Sequence, residues 1–141
     1  MLQETTGYII CRTARKIHQF MTKALADYDI TPEQWVVLQI VSKEKNLSQQ
    51  DLSARLEKDK NSTKALVDRL IKKELLTRQK DDNDKRFYKL QATAAGVQLT
   101  KKLAELDYDF MQEAESGLTA EELASFTRIL TRLEEKITAK L

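Results

Sequence analysis

The sequence has one cysteine, one proline and three glycines, and only 6% of its residues are aromatic. A single cysteine excludes an internal disulfide and a zinc site built from several cysteines. So few glycines and prolines exclude an all-β chain with many turns, and also collagenous and low-complexity chains. The 141 residues suffice for one domain of ordinary size, whose core must be built from leucine, isoleucine, valine and alanine.

Targeting and membrane segments are missing as well. Residues 1–7 lack the basic and apolar regions of a signal peptide. No run approaches the ~18 apolar residues that a membrane span needs. We therefore expect a cytoplasmic protein without membrane contact.

Catalytic groups are scarce. The chain has one histidine, one cysteine and no glycine-rich phosphate loop. These residues assemble neither a nucleophile–base pair nor a metal cluster. The sequence therefore predicts a protein that is not an enzyme and has no metal or cofactor.

The net charge of only +2 hides an uneven distribution of charge. Residues 1–41 are neutral, residues 42–91 carry fourteen basic and nine acidic side chains, and residues 92–141 carry six basic and nine acidic ones. A basic central segment between neutral and acidic arms favours a polyanion-binding module. A solvated helical surface rich in lysine and glutamate is the alternative.

Capping signals and apolar periodicity predict four helices in the first part of the chain. The sequence Thr31-Pro32-Glu33-Gln34 is typical of a capping box with proline at the first helical position. Ser48 is the expected cap of a short helix. In the fourth helix we expect Leu66, Leu70 and Ile71 to face inward, with Thr63 and Val67 beside them. The predicted bounds are about 8–28, 31–43, 48–56 and 62–73.

The helical repeat of apolar residues then ends, and the pattern that follows is typical of a β-hairpin. Residues 75–78 and 87–90 are short β-like runs, and the polar segment 79–86 separates them. Thr93 and Thr119 are expected to cap two long final helices, with Gly117 as the stop between them. The predicted fold is mainly α with a small β-hairpin, that is, a winged helix–turn–helix core with long N- and C-terminal helices.

This order of elements points to double-stranded DNA. The second helix of a helix–turn–helix enters the major groove with its N-terminal residues first. A basic side chain on a protruding hairpin suits a narrow minor groove. Asp82 and Asp84 do not suit a DNA-facing tip, and the hypothesis is that a local carboxylate instead orients Arg86. The start of the preceding helix is suited to phosphate. The predicted DNA-binding residues are Ser48, Gln49, Lys60, Asn61, Ser62, Thr63, Lys64, Lys85 and Arg86.

Three segments carry a resemblance to a known family. The stretch 68–78, then Asp84-Lys85-Arg86, then Ala92-Thr93-Ala94-Ala95-Gly96 resembles the MarR family of winged helix–turn–helix transcriptional regulators. The likeness in element order extends over nearly the whole chain. Glu74 departs from the pattern because glycine is usual there, and that turn has to close without the residue best suited to positive φ. Ala65 stands where arginine is frequent, which predicts a different base readout.

The resemblance implies a homodimeric repressor. Residues 30–92 would form the DNA-binding winged helix, and residues 1–29 and 93–141 the dimerisation helices of one single regulator domain. A two-fold dimer would read a pseudo-palindromic operator with half-sites about one helical turn apart.

The resemblance also implies release from DNA by a small amphipathic or aromatic effector. The candidate effector-binding residues are His18, Phe20 and Trp35, for which core packing and a surface histidine are the alternatives. A second hypothesis is redox sensing by Cys11, where nearby cations favour the reactive thiolate, and an inert buried thiol is the alternative for this residue. A helical interaction module that does not bind DNA is the remaining alternative.

Overall fold

The computed structural model describes residues 4–141, so the first three residues of the predicted N-terminal arm lie outside the described residues. The described part forms six α-helices and three short β-strands. The helices are α1 (Thr6–Ala26), α2 (Pro32–Lys43), α3 (Gln49–Leu56), α4 (Lys60–Lys72), α5 (Ala94–Ala114) and α6 (Ala120–Thr138). The strands are β1 (Leu47–Ser48), β2 (Leu76–Lys80) and β3 (Tyr88–Ala92). These elements confirm the predicted winged helix–turn–helix fold.

The chain divides into two compact units, one that ends at Ala104 and one that spans Glu105–Leu141. The first contains α1 to α4, the sheet and the first half of α5. The second contains the end of α5 and all of α6. The helix–turn–helix and the wing therefore belong to one compact unit.

The predicted helix starts are confirmed where a short polar side chain closes the first turn. The Thr31 hydroxyl accepts from the backbone N–H of Gln34 at 3.2 Å, and the Gln34 side chain accepts from the Thr31 N–H at 3.2 Å. Thr119 and Glu122 form the same reciprocal box at 3.0 and 2.9 Å. Each box satisfies two N–H groups that the helix leaves unpaired, which fixes where the helix begins.

Helix α4 differs from its prediction in two respects. It begins at Lys60 rather than near Ser62, because the Asp59 carboxylate accepts from the Ser62 backbone N–H at 2.7 Å and caps the helix. The most deeply buried positions of its inward face also differ from the prediction, since the fully buried side chains are those of Thr63, Val67 and Leu70. Leu66 and Ile71, predicted to face inward, are half-buried. The spacing of three and four residues places the observed set on one face.

The sheet has three strands in the order β1-β3-β2, all antiparallel. The predicted hairpin is confirmed, although both strands begin one residue later and end two residues later than predicted. Strand β1 was not predicted. Leu47 pairs with Leu90 and Ser48 with Lys89, so the first residues of the helix–turn–helix are attached to the wing.

The core is formed mainly by α2, α3, α4 and the sheet, with one fully buried leucine each from α1 and α5. The largest fully buried side chains are Leu25, Leu38, Leu52, Leu70, Leu76, Leu90, Leu103, Val37, Val41, Val67 and Thr63. Aliphatic residues therefore form this core, as the low aromatic content predicts. Burial of this kind stabilises a side chain by about 1.5–3 kcal/mol and holds the two helices of the helix–turn–helix against the wing.

The turn between α4 and β2 closes in the left-handed region without glycine. Glu74 has φ of 62°, and its N–H donates to the Ile71 carbonyl at 2.9 Å. Its own carbonyl accepts from the Thr93 hydroxyl at 2.7 Å. The conformation predicted from the family pattern is therefore present, and a side chain occupies it at a cost of roughly 1–2 kcal/mol.

We expect Glu74→Gly to raise the free energy of unfolding by about 0.5–1 kcal/mol. Glycine adopts positive φ without the clash of a β-carbon, whereas the Glu74 side chain is exposed and the backbone hydrogen bonds of the turn are kept. Urea denaturation followed by circular dichroism measures the change. The matched control is Lys72→Gly, which places glycine in the last helical turn and should destabilise the protein. A Glu74→Gly variant less stable than the wild type would contradict the strain assigned to this turn.

Candidate nucleic-acid interface

The beginning of α4 presents polar and basic side chains. Those that are exposed belong to Lys60, Asn61, Ser62 and Lys64. The Ser62 hydroxyl donates to the Asp59 carboxylate at 3.1 Å, and the Lys64 ammonium donates to Asp68 at 2.7 Å. Within residues 4–141, the side chains of Lys60 and Asn61 have no such partner. These two are the ones most available to a ligand.

The structure requires a correction for Thr63. This residue was predicted as a DNA contact, but it is fully buried and its hydroxyl donates to the Asp59 carbonyl at 3.0 Å. Thr63 shares the inward face of α4 with Val67 and Leu70, because their spacing follows the helical period. We therefore remove Thr63 from the predicted contacts.

The start of α3 carries the two predicted residues Ser48 and Gln49, both half-buried. The Ser48 hydroxyl accepts from the Asp51 backbone N–H at 2.9 Å, so it acts as the helix cap. The Gln49 side-chain oxygen accepts from Nε of Arg78 at 2.8 Å, which leaves its NH₂ group as a donor. Both residues therefore stabilise the start of α3 through hydrogen bonds within the protein. The phosphate contact expected of them stays a prediction.

The wing tip holds Arg86 in a fixed orientation. Nε and Nη2 of Arg86 donate to the two carboxylate oxygens of Asp84 at 3.0 and 2.9 Å, and the Arg86 backbone N–H also donates to Asp84 at 3.1 Å. This bidentate pair confirms the hypothesis that a local carboxylate orients Arg86. The Arg86 side chain is still 85% exposed, so its outer face is open to a partner.

The ion pair also sets the charge state of the wing tip. The Arg86 guanidinium, followed by the Arg86 backbone N–H, holds the pKa of the Asp84 carboxyl below its ordinary value. A lowered carboxyl pKa means that the pair is complete above the ordinary value and is lost only as the pH falls through the lowered value. Asp84 is therefore ionised throughout the neutral range, and the orientation of Arg86 does not depend on pH there.

A groove connects the wing with the helix–turn–helix. It is lined by Gln49, Gln50, Ser53, Lys60, Arg86, Phe87 and Tyr88. Three of the predicted residues, Gln49, Lys60 and Arg86, thus come together from α3, α4 and the wing. The exposed Lys85 and the remaining predicted residues do not line this groove. Two cations beside amide and hydroxyl donors form a surface suited to phosphate oxygens.

Arg78 on β2 is a functional candidate that was not predicted. Besides Gln49, its guanidinium donates to the Asp68 carboxylate at 2.7 Å and lies over the Tyr88 ring, 5.6 Å from the ring centroid. One side chain therefore connects α3, α4 and β3, and it positions the residues of the groove. The available signal was the pairing of an acidic and a basic residue ten positions apart within the stretch 68–78.

The Asp68 carboxylate is shared between two cations. Hydrogen bonds from Lys64 and then from Arg78 hold the pKa of this carboxyl below its ordinary value. The ionised form therefore persists at neutral pH, and the negative charge on α4 is compensated from both sides. This compensation allows an acidic residue to lie on a helix that otherwise carries basic side chains.

The three candidate effector residues do not share one environment. His18 and Phe20 line a surface depression on α1 with Lys16, Gln19, Thr22 and Lys23. The His18 ring nitrogen lies 3.2 Å from the Glu33 carboxylate. Trp35 is buried, with 5% of its surface exposed, and does not line this depression. Trp35 therefore packs in the core, which was the alternative to its predicted contact with an effector.

Cys11 is exposed on α1. The neighbouring Arg12 guanidinium donates to the Glu4 carboxylate at 2.7 and 3.2 Å. It also lies over the Tyr8 ring, 5.4 Å from the centroid. Arg12, the cation next to Cys11 in the sequence, is thus already paired with a carboxylate.

Metal sites and membrane spans are absent from the part of the chain that the structure describes. Among residues 4–141, no three His, Cys, Asp or Glu side chains are grouped so that they could hold a metal ion. None of the helices in this range is both long enough and apolar enough to cross a membrane.

The chain is similar in sequence to known transcriptional regulators. Residues 30–87 match the model of the MarR family. The chain is 27% identical over 124 residues to the uncharacterized HTH-type transcriptional regulator YsmB of Bacillus subtilis (strain 168). That alignment covers 88% of this chain and 85% of the relative.

Two solved structures bound to DNA have the same fold. The MepR–DNA complex of Staphylococcus aureus superposes with a TM-score of 0.88 and 24% identity, covering 95% of this chain and 99% of MepR. A cysteine-to-serine variant of MarR from Escherichia coli, complexed with operator DNA, gives a TM-score of 0.82 with 26% identity. The coverage there is 90% of this chain and 91% of that chain.

The fold is that of winged helix–turn–helix DNA-binding proteins. The family model covers the helix–turn–helix and the wing up to Phe87, and the structural matches extend over at least nine-tenths of the chain. Residues 30–87, which hold the helix–turn–helix and most of the wing, are thus similar to the MarR family. Members of this family are transcription regulators and not enzymes.

Proposed function

We propose that the protein is a homodimeric repressor that binds double-stranded DNA sequence-specifically and is released by a small amphipathic or aromatic effector. The observation that carries this proposal is the groove in which Lys60 of α4 and Arg86 of the wing come together. Lys60 has no carboxylate partner among the described residues, and Arg86 is oriented by Asp84 with its outer face exposed. Two such cations on neighbouring protrusions match the phosphates along a duplex.

The two protrusions are expected to contact different grooves of the DNA. The first turn of α4 would enter the major groove, where base edges carry sequence information. Arg86 on the wing would reach the adjacent minor groove, where a narrow groove strengthens the negative potential. The two helices of the helix–turn–helix and the wing share one compact unit, so these contacts would form together.

The homodimer is supported by the apolar faces of the terminal helices. Helix α6 has no buried residue, and its exposed apolar side chains recur at helical spacing: Phe126, Ile129, Leu133 and Ile137. Helix α1 likewise exposes Tyr8, Ile9, Ile10 and Ile17. Continuous apolar stripes of this kind on a helix require a partner. We assign residues 1–29 and 93–141 to dimerisation, residues 30–92 to DNA binding, and a pseudo-palindromic operator to the two-fold dimer.

Release would begin at the surface of α1. The depression that contains His18 and Phe20 has aromatic, basic and amide side chains, which suits an amphipathic effector. Oxidation of Cys11 is the second candidate for release, because the structure exposes this residue. If peroxide treatment abolished DNA binding and Cys11→Ser prevented this loss, release would be controlled by oxidation of Cys11 rather than by an effector. We place the regulator in the cytoplasm with its DNA.

The experiment that tests the proposal is a mobility shift with the DNA upstream of its own gene at increasing salt. We expect sequence-dependent binding whose affinity falls steeply as salt rises, because each neutralised phosphate releases a counterion. An unrelated duplex of equal length and base composition is the control. Binding that is absent at low micromolar protein, or that does not change with salt, would disprove the regulator proposal.

Ile129→Glu is expected to raise the dissociation constant of the dimer about 30-fold, because two-fold symmetry buries two unpaired carboxylates in the apolar interface. The affinity for DNA should fall as the dimer becomes weaker. Analytical ultracentrifugation over a concentration series measures the dimer. The matched control is Thr131→Glu, since residues 129 and 131 point to opposite sides of α6. An unchanged dimer in Ile129→Glu would exclude this face from the interface.

A further inference from the structure

We propose that Asn61 and Ala65 read neighbouring A·T base pairs in the major groove, Asn61 through adenine and Ala65 through the methyl group of thymine. This inference rests on the proposed DNA-binding function and specifies the sequence that the site selects. It follows from which side chains of α4 are free for base contact and from the chemistry of those that remain.

Most polar side chains at the start of α4 are already engaged. The Asp59 carboxylate caps the helix and accepts from the Ser62 hydroxyl, and Thr63 is buried. The Lys64 ammonium is held by Asp68 at 2.7 Å. In the first two turns of the helix, these contacts leave Lys60, Asn61 and Ala65 as the exposed side chains without a hydrogen bond or ion pair within residues 4–141.

Asn61 has the chemistry of an adenine contact. Its side chain combines one acceptor oxygen with an NH₂ donor. Adenine presents the matching pair in the major groove, with N7 as acceptor and the N6 amino group as donor. Guanine presents two acceptors at the corresponding positions, so the oxygen of Asn61 would face another acceptor there. The amide therefore discriminates against guanine as well as selecting adenine.

Ala65 supplies the second contact from the same face of the helix. It lies four residues after Asn61, which is a rise of about 6 Å along the axis, and base pairs of duplex DNA are spaced by about 3.4 Å. The two side chains therefore reach base pairs one or two steps apart. A methyl side chain makes no hydrogen bond, and its favourable partner in the major groove is the thymine methyl group.

Lys60 has a different role. It lines the groove with Arg86, whereas Asn61 and Ala65 do not line that groove. An ammonium group beside a guanidinium is suited to phosphate, which carries no sequence information. Lys60 consequently serves as the matched control for a contact that strengthens binding to every sequence.

The experiment selects duplexes from a randomised pool with the full-length wild type, Asn61→Ala and Lys60→Ala, followed by titration of single-base variants of the selected site. We expect the wild type to select an A·T step in each half-site. Asn61→Ala should lose about tenfold discrimination at the adenine position and keep its preference elsewhere. Lys60→Ala should bind all sequences more weakly and retain the adenine preference. Alanine is a strong helix former, so Asn61→Ala should keep the fold, which circular dichroism checks.

Ala65→Ser tests the second contact, because a hydroxyl beside the thymine methyl reduces the preference at that position alone. A wild-type site with G·C at these positions, or an adenine preference that persists in Asn61→Ala, would overturn the inference and leave the regulator proposal standing. A wild type that enriches no sequence from the pool would overturn both. The two proposals therefore fail in distinguishable ways.

Discussion

Arg86→Ala is expected to weaken DNA binding roughly 100-fold while the dimer remains intact. Hydrogen bonds from a charged group contribute roughly 1.5–3 kcal/mol each, which corresponds to this loss. The substitution also leaves Asp84 without its partner, and a free carboxylate at the wing tip repels the phosphates. Fluorescence anisotropy with a labelled operator duplex measures the affinity, and size-exclusion chromatography checks the dimer.

The salt dependence of DNA affinity distinguishes the loss of a phosphate contact from a change in the net charge of the protein. Loss of one phosphate-neutralising contact lowers the slope of log affinity against log salt by about 1. Lys136→Ala on α6 removes one positive charge from an exposed position of the second compact unit and is the matched control. We expect nearly unchanged affinity for this variant. Loss of the dimer in Arg86→Ala, or equal weakening by both variants, would show that Arg86 does not act at the DNA surface.

Gly96→Ala is expected to lower the free energy of unfolding by about 3 kcal/mol, which is near the upper end for an overpacked site. A β-carbon at position 96 would lie 2.2 Å from the carbonyl oxygen of Leu75. This oxygen belongs to the backbone and also accepts from the Thr93 N–H at 3.0 Å, so it has no room to withdraw. Helix α5 would have to move away from the turn between α4 and β2.

Thermal unfolding measures the effect of Gly96→Ala, for which we expect a decrease in Tm of roughly 10 °C. The matched control is Gly117→Ala, because a β-carbon there meets no atom within 4 Å and the φ of Gly117 is not positive. This variant should be as stable as the wild type. Equal stability of both variants would contradict the close approach at position 96.

Local patterns predicted the elements whose causes lie within a few residues. The capping boxes at Thr31 and Thr119 join groups three positions apart, and both are confirmed. The same is true of Asp84 and Arg86, which are two residues apart and form a bidentate pair. Position 117 shows the limit of this reasoning, since the glycine follows the end of α5 without adopting the positive φ typical of a helix stop.

Features that depend on distant parts of the chain were not predicted. Strand β1 has two residues, too few to show an alternating pattern, and it exists because Leu47 pairs with Leu90. The interaction of Arg78 with Gln49 joins residues 29 positions apart. The burial of Thr63 depends on how α4 packs against the core, which buries Thr63 fully and leaves Leu66 half-buried.

The sequence by itself determined the order of helices and wing, the helix caps, the basic central segment and the family resemblance, because short-range hydrogen bonds and periodicity encode them. Only the tertiary structure decided which side chains of α4 remain free and that Lys60 and Arg86 share one groove. It also brought position 96 so close to another part of the backbone that no side chain fits there. The physical reason is that burial, ion pairing and close backbone approach depend on residues far apart in the chain, whose proximity no local pattern records.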